Sequence, residues 1–307
     1  MKNKEIVLIT GVAGFIGSKI AKKFLEEKYF VYGVDDLSSG KKKNIPSGVK
    51  FIKIDLSKKK NIKLLPKKCN QIFHLAGQSS GEISFENPEK DLEKNVISTL
   101  NLIKYGISVK AKKIIYASSM SVYGNHNEKK LRENMICKPL SCYGNGKLAS
   151  ENYLKIFKKK IPYLILRMFN VYGPGQDMKN LKQGMVSIYL EQAIKNKKII
   201  VKGSLNRVRD FIFIDDVVNI WFNLFKSNLK NQIFNLGTGK PQKVKNLLTL
   251  IKQLLPFTKL RLKAGTPGDQ FFVCSNNTKI KKELKIEKFV DLKKGLGIFV
   301  NYLKSNN

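Results

Sequence analysis

Arginine is scarce in this chain. Of its 58 Lys+Arg residues, 53 are lysine, and only Arg132, Arg167, Arg207, Arg209 and Arg261 are arginine. Arginine is the usual residue for bidentate contacts to bases and phosphates, so its scarcity argues against sequence-specific nucleic-acid recognition. The net charge of +35 is spread along the whole length, with short lysine runs at residues 41–43, 58–60 and 158–160. Such a charge predicts weak, salt-sensitive adsorption to polyanions and suits an anionic substrate. Histidine is limited to His74 and His126. The four cysteines, Cys69, Cys137, Cys142 and Cys274, form no C-x-x-C pair and no cluster with histidine. Zinc and a disulfide framework are thereby disfavoured, and reduced thiols in a cytoplasmic enzyme are expected. No segment approaches about 18 uninterrupted apolar residues, so no transmembrane helix is expected. Met1-Lys2-Asn3-Lys4 leads directly into a strand-like run, which predicts no secretory signal. Internal repeats, low-complexity tracts and long linkers are also missing.

What is there is ordinary in amount and informative in order. A chain of 307 residues with 42% hydrophobic content can bury one large core or two smaller ones. Ile6-Val7-Leu8-Ile9-Thr10 reads as a buried strand, and residues 14–27 as a helix with an apolar face of Phe15, Ile16, Ile20, Phe24 and Leu25. Further strands are predicted at residues 30–34, 50–54, 71–75, 113–117 and 163–167, with helices at 91–105 and 143–159. Apolar strands alternating with helices predict a parallel sheet covered on both faces. After Asn170 the pattern is irregular, with a helix near 184–195, strands near 199–202 and 211–214, a helix over 215–225, and turns at 237–239 and 265–269. The expected fold is Rossmann-type α/β, a doubly wound parallel sheet with a smaller α/β substrate-binding lobe. Residues 1–168 would form the first part, completed by part of 210–240, and 169–307 mainly the second, interleaved with it.

Three local patterns carry chemistry. Gly11, Gly14 and Gly17 are spaced G-x-x-G-x-x-G directly after the first strand. Glycines there let the backbone approach a pyrophosphate at a helix N-terminus, although an ordinary tight turn has the same look. Asp35 ends the second strand about 18 residues on. A carboxylate at that place accepts hydrogen bonds from ribose hydroxyls and repels a 2′-phosphate, which selects NAD over NADP; turn formation before Leu37-Ser38-Ser39-Gly40 is its plainer role. Asp55, after the third strand, could meet the adenine or cap a helix. Ser119 follows the fifth strand in Ala117-Ser118-Ser119-Met120-Ser121, where a hydroxyl can hold a reacting oxygen or simply close a loop. Ser118 or Ser121 could share that role. Tyr143 and Lys147 stand four residues apart, which places them on one helical face. A phenol is a poor base at neutral pH, and an ammonium one turn away favours its phenolate. Alone, Y-x-x-x-K is a weak pattern in a chain so rich in both residues.

With these patterns in order, the chain resembles the extended short-chain dehydrogenase/reductase family, in its NAD-dependent nucleotide-sugar epimerase/dehydratase branch. The likeness runs over nearly the whole length. It includes the glycine loop, His74-Leu75-Ala76-Gly77-Gln78, the Asn95 region, Ser118-Ser119, Tyr143/Lys147, Arg167-Met168-Phe169-Asn170-Val171-Tyr172-Gly173-Pro174-Gly175, and Arg209-Asp210-Phe211-Ile212-Phe213-Ile214-Asp215-Asp216. The resemblance implies that Ser119, Tyr143 and Lys147 are catalytic. It implies NAD contacts from Gly11, Gly14, Phe15, Ile16, Gly17, Asp35, Asp55, Leu56, Leu75, Ala76, Gly77 and Asn95, besides Tyr143 and Lys147. Ser119, Ser121, Asn170 and Arg209 would meet an NDP-sugar substrate, Asn170 and Arg209 at its diphosphate. Arg209 has a surface ion pair as its plainer reading. A homodimer through the two helices flanking the active-site segment is also implied.

Departures from the family pattern refine the expectation. The dehydratase branch usually carries an acidic pair after the position of Ser119, where this chain has Met120 and Ser121. That favours a 4-epimerase inverting C4 of an NDP-hexose, expected to be a UDP-sugar, over a 4,6-dehydratase. Thr266 stands where many relatives place a second diphosphate-binding arginine, Lys202 where an aromatic often stacks on the base, and Ser79 where typical UDP-galactose 4-epimerases have lysine. A one-way 4-ketoreductase or dehydrogenase is the near alternative, and a non-catalytic NAD-bound regulatory or RNA-associated protein the distant one.

Overall fold

The computed structural model describes residues 5–126, 130–256, 258–265 and 270–305. The chain runs through β1 (Ile6–Thr10), α1 (Phe15–Glu26), β2 (Phe30–Asp35), β3 (Lys50–Lys53), β4 (Gln71–His74), α2 (Gly81–Glu86), α3 (Pro88–Leu92), a π-helical turn (Glu93–Ile97), α4 (Ser98–Ser108), β5 (Lys113–Ser119), α5 (Cys142–Ile156) and β6 (Tyr163–Met168). It continues through β7 (Asn170–Tyr172), α6 (Met185–Asn196), β8 (Lys198–Lys202), β9 (Val208–Arg209), β10 (Phe211–Phe213), α7 (Ile214–Lys226), β11 (Gln232–Leu236), β12 (Gln242–Lys243), α8 (Val244–Leu254), β13 (Lys259–Lys263), α9 (Thr278–Leu284) and α10 (Leu292–Ser305).

Seven strands form one sheet in the order β11-β6-β5-β4-β1-β2-β3, and every neighbouring pair is parallel. From β1 the chain winds outward to β2 and β3, then returns to β4 on the other side of β1. Where the winding reverses, the loops leaving β1 and β4 diverge and open a crevice at the strands' C-terminal ends. This is a Rossmann-type, doubly wound α/β fold. Side chains alternate across the sheet with period two. Val7 and Ile9 join one core, with Phe73, Ile115 and Leu164, while Leu8 joins the other, with Ile72, Ile114 and Ile165. On the first face Phe24 of α1 packs edge-on against Phe73, Phe222 and Phe225, at centroid distances of 4.9, 5.2 and 4.9 Å. That contact locks α7 against α1.

The sixth strand, β6, is not the sheet's edge. β11 pairs beyond it, Gln232 with Leu164 through Leu236 with Met168. The helix expected over residues 91–105 is instead α3, the π-turn and α4 in succession, a break in the hydrogen-bond ladder that apolar spacing does not reveal. The smaller α/β portion contains three two-stranded pairs, β7 with β10, β12 with β9 and β13 with β8. Of these, β7, β9, β10 and β12 have only two or three residues, too short to show a periodicity. Of the turn expected at residues 265–269 only Gly265 is described; Thr266 lies outside the described residues.

Candidate active site

The crevice is a cavity of ≈ 1540 Å³, larger than the roughly 300–1,000 Å³ of common small-ligand pockets. Its floor is the glycine loop. Gly11 sits at φ +71°, and a Cβ there would press on the Ala76 amide nitrogen at 2.8 Å. A Cβ on Gly17 would fall 2.1 Å from the Gly11 carbonyl oxygen. Only glycines allow this loop to fold so tightly against the chain leaving β4. α1 begins at Phe15, and its N-cap, Gly14, offers no side-chain hydrogen bond. The first helical amides have no partner within the helix and point their dipole outward. Gly11, Gly14, Phe15, Ile16 and Gly17 all line the cavity beside Leu75, Ala76 and Gly77. The arrangement fits a pyrophosphate.

At one end of the cavity stand Asp35, Asp55 and Leu56. Asp35 is buried; its Oδ2 accepts from the Ala13 amide at 3.0 Å and its Oδ1 from the Leu37 amide at 2.8 Å. Burial raises its carboxyl pKa, against the pull of those two amides. Asp55 caps its own turn, its Oδ1 accepting from Ser57 N at 2.9 Å and Ser57 Oγ at 2.7 Å, while Oδ2 pairs with Lys94 at 2.8 Å.

Ser119, Ser121, Tyr143 and Lys147 meet at the C-terminal end of β5. Ser141 caps α5, accepting from the Gly144 amide, so Tyr143 and Lys147 fall on its first turns facing β5. Ser119 Oγ donates to Ser121 Oγ at 3.1 Å and accepts from the Ser121 amide at 3.1 Å. Lys147 is buried, donates to Ala117 O at 3.1 Å, and lies 5.7 Å from the Tyr143 ring centroid. Burial pushes the Tyr143 phenol up to about 12, and a hydrogen bond with Ser119 offsets part of the rise. Burial likewise pulls Lys147 down to about 8, opposed by Asp91 and Glu151. The expected depression of the phenol by Lys147 is therefore not what these residues show by themselves. Desolvation is the largest influence on the phenol, and Asp91 adds to the rise.

Two residues are turned away from the roles expected of them by their hydrogen-bond partners. Asn95 does not line the cavity. Its Nδ2 is held by Gln78 O at 3.1 Å and Asp91 Oδ1 at 3.0 Å, which turns the amide beneath Gly77. Its buried Oδ1 has no hydrogen-bond partner and would lie 2.4 Å from a Cβ on Gly77. Ser118 does not share the role of Ser119, because its hydroxyl donates to Glu151 Oε1 at 2.6 Å. Asn170 and Arg209 do line the cavity, with the Asn170 side chain donating to Asp210 O at 3.2 Å and Arg209 Nη1 to Val208 O at 2.8 Å. Arg207 joins them there and is also buried.

The sequence reading missed Glu151, Lys94 and Arg207. Glu151 had a signal, lying four residues past Lys147 on the same helical face. Lys94 had none, being one lysine among many. Among the described residues no group of His, Cys, Asp and Glu could hold a metal ion, and no helix is long and apolar enough to cross a membrane.

Fold and cavity define an α/β protein of dinucleotide-binding type. Comparison with known proteins makes this specific. The pattern of the NAD dependent epimerase/dehydratase family matches residues 7–237, and the chain belongs to that family, as an NAD-dependent enzyme of nucleotide-sugar epimerase type. A putative UDP-glucose 4-epimerase of Methanocaldococcus jannaschii is 36% identical over 306 residues, 98% of this chain and 99% of the relative. The crystal structure of UDP-glucose 4-epimerase with UDP-glucose from Thermotoga maritima superposes with a TM-score of 0.93 at 33% identity, covering 98% and 99% of the two chains. UDP-N-acetylglucosamine 4-epimerase from Methanobrevibacter ruminantium M1, in complex with UDP-N-acetylmuramic acid, gives a TM-score of 0.92 at 27% identity, with both chains fully covered at 100%.

Proposed function

We propose that this protein is a UDP-hexose 4-epimerase working through a transient 4-keto sugar. The observation that carries the reading is the meeting of Ser119, Tyr143 and Lys147 on one cavity wall, with Met120 rather than an acid next in the chain. Bound NAD would supply the hydride acceptor, and then the hydride donor, for oxidation and reduction at sugar C4. Tyr143 takes the 4-hydroxyl proton and later returns it. Ser119 holds the same oxygen by hydrogen bond. Lys147, cationic below about 8, offsets part of the cost of a buried phenolate as the proton arrives and leaves. The glycine loop and α1 N-terminus would hold the NAD pyrophosphate, and Asp35 its adenosine ribose. Arg209 and Asn170 hold the sugar diphosphate, for which a planar guanidinium fork is suited. Without an acid at Met120 or Ser121, the site offers no proton shuttle for eliminating water from the keto sugar, which supports epimerisation.

In this reading residues 1–168, completed by part of 210–240, form the NAD domain, and 169–307 mainly the substrate lobe. The enzyme works in the cytoplasm, consistent with four free cysteines. It pairs with a second copy through the α4 and α5 region, where Ile97 and Ile156 stand exposed.

The test is NMR of UDP-glucose, UDP-N-acetylglucosamine and UDP-glucuronate with purified protein and no added NAD. The C4 epimer of one of them, with no net NADH, is the expected result and names the sugar. Turnover only with stoichiometric consumption of added NAD or NADH would replace the reading with a dehydrogenase or ketoreductase.

A further inference from the structure

The adenosine end of the cavity holds three carboxylates, Asp35, Asp36 and Asp55, and one largely enclosed cation, Lys94. Lys94 Nζ lies 2.7 Å from Asp36 Oδ2 and 2.8 Å from Asp55 Oδ2, with its side chain 17% exposed. Each partner divides its oxygens in the same way. Asp36 gives Oδ1 to the Ser38 amide at 2.8 Å and Oδ2 to Lys94. Asp55 gives Oδ1 to Ser57 and Oδ2 to Lys94. One ammonium therefore joins three segments that are far apart in sequence: the residue after β2, the turn after β3, and the π-turn.

The π-turn explains how Lys94 gets there. A π-turn admits an extra residue into a helix and is frequent at functional sites. Here neighbouring residues serve opposite directions, Asn95 turning inward beneath Gly77 and Lys94 outward to the carboxylates.

We propose that Lys94 is a positioning residue for NAD, clamping the ends of β2 and β3 so that Asp35 and Asp55 are set to receive the adenosine. This rests on the cavity being the NAD site. Removing the ammonium leaves Asp36 and Asp55 facing each other across its place, and like charges in a partly enclosed site repel strongly. The two strand ends then separate, and the adenosine pocket between them widens. The nicotinamide end, built on β5 and α5, keeps its geometry.

The experiment measures binding directly, by calorimetry with NAD and with ADP-ribose on protein stripped of nucleotide, and by NAD content after purification. Lys94→Met is expected to weaken both ligands alike by about tenfold or more, whereas Lys94→Arg stays within about threefold of the parent. Adding Asp36→Asn to Lys94→Met removes one of the two opposed carboxylates and is expected to restore at least half of the loss. Lys104→Met, on the exposed side of α4, serves as the control and is expected to change nothing. Lys94→Met binding as tightly as the parent would overturn the proposal. So would a double variant no tighter than Lys94→Met, since plain loss of packing is not cured by removing a charge. Should Lys94→Met not fold, Lys94→Gln with and without Asp36→Asn gives the same comparison. None of these readouts requires turnover, so a parent protein that binds NAD without epimerising any sugar would leave this inference standing while the functional reading fell.

Discussion

Arg167 and Glu151 meet in a fully buried, two-pronged ion pair directly behind the candidate catalytic wall. Arg167 Nε donates to Glu151 Oε1 at 2.9 Å and Nη2 to Oε2 at 2.7 Å. The same guanidinium donates to Glu133 O at 3.1 Å and lies 4.7 Å from the Tyr123 ring centroid. Glu151 also receives the Ser118 hydroxyl. The pair thus ties α5, which carries Tyr143 and Lys147, to β5 and β6. Breaking one side of a buried pair leaves the other charge stranded. Glu151→Ala is expected to lose about 3–5 kcal/mol of stability, read as a lowered urea midpoint. A loss below about 1 kcal/mol, the worth of an exposed pair, would contradict the buried arrangement.

Tyr143→Phe removes the hydroxyl that faces Ser119 and little volume. Turnover of the identified UDP-sugar is expected to fall by about 10²–10⁴, the usual contribution of a positioned acid–base group. The thermal midpoint should stay near that of the parent. Unchanged turnover would remove Tyr143 from the mechanism.

The alkaline limb of the pH–rate profile is expected near pH 8. Burial holds Lys147 at about 8, so the ammonium is present below that pH and lost above it. Lys147→Arg keeps the charge at every accessible pH. It is expected to abolish the limb at whatever reduced rate it retains, and a limb that persists in the variant must belong to another group.

His74 links opposite sides of the core, Nδ1 to Thr10 Oγ1 and Nε2 to Thr99 Oγ1, each at 2.9 Å. Burial, helped by Lys147, pushes its pKa down from 6.5 to about 3. A depressed folded pKa means that its contribution to stability is present above pH 6.5 and is lost as pH falls toward 3, by at most about 1.4 kcal/mol per pH unit. His74→Gln lacks this titration. The stability gap between parent and variant, from urea midpoints at pH 7, 6, 5 and 4, should narrow step by step. A constant gap would show that His74 does not titrate out of a buried neutral form.

Gly17→Ala places a methyl group where the Gly11 carbonyl oxygen stands, 2.1 Å away. The loop can accept it only by moving off the N-terminus of α1. NAD affinity is expected to drop at least tenfold, or about 1.4 kcal/mol, in a calorimetric titration. Binding equal to the parent's would mean that the loop's tightness does not matter to the cofactor.

The parts of the site carried by local spacing were legible in the sequence. The glycine loop, Asp35 at the end of a strand, and the Tyr143/Lys147 pair depend on residues a few positions apart, whose relative placement one turn or one helix fixes. The direction of the Asn95 side chain was not legible, because it depends on its hydrogen-bond partners. Gln78 and Asp91 draw its amide under Gly77, and nothing near Asn95 in the chain announces that. Lys94 was invisible for a related reason. Its partners lie 58 and 39 positions away, and composition offers dozens of equivalent lysines.

The sequence by itself determined the parallel doubly wound sheet, the anion-ready loop and the helix carrying Tyr143 and Lys147, since each follows from periodicity and backbone sterics within a short segment. Tertiary structure alone decided that β11 closes the sheet, that Ser118 serves Glu151 while Ser119 faces Tyr143, and that one lysine clamps two strand ends. Those outcomes depend on which distant groups share a low-dielectric interior, where a buried charge or hydroxyl must find its partner wherever the fold has brought one.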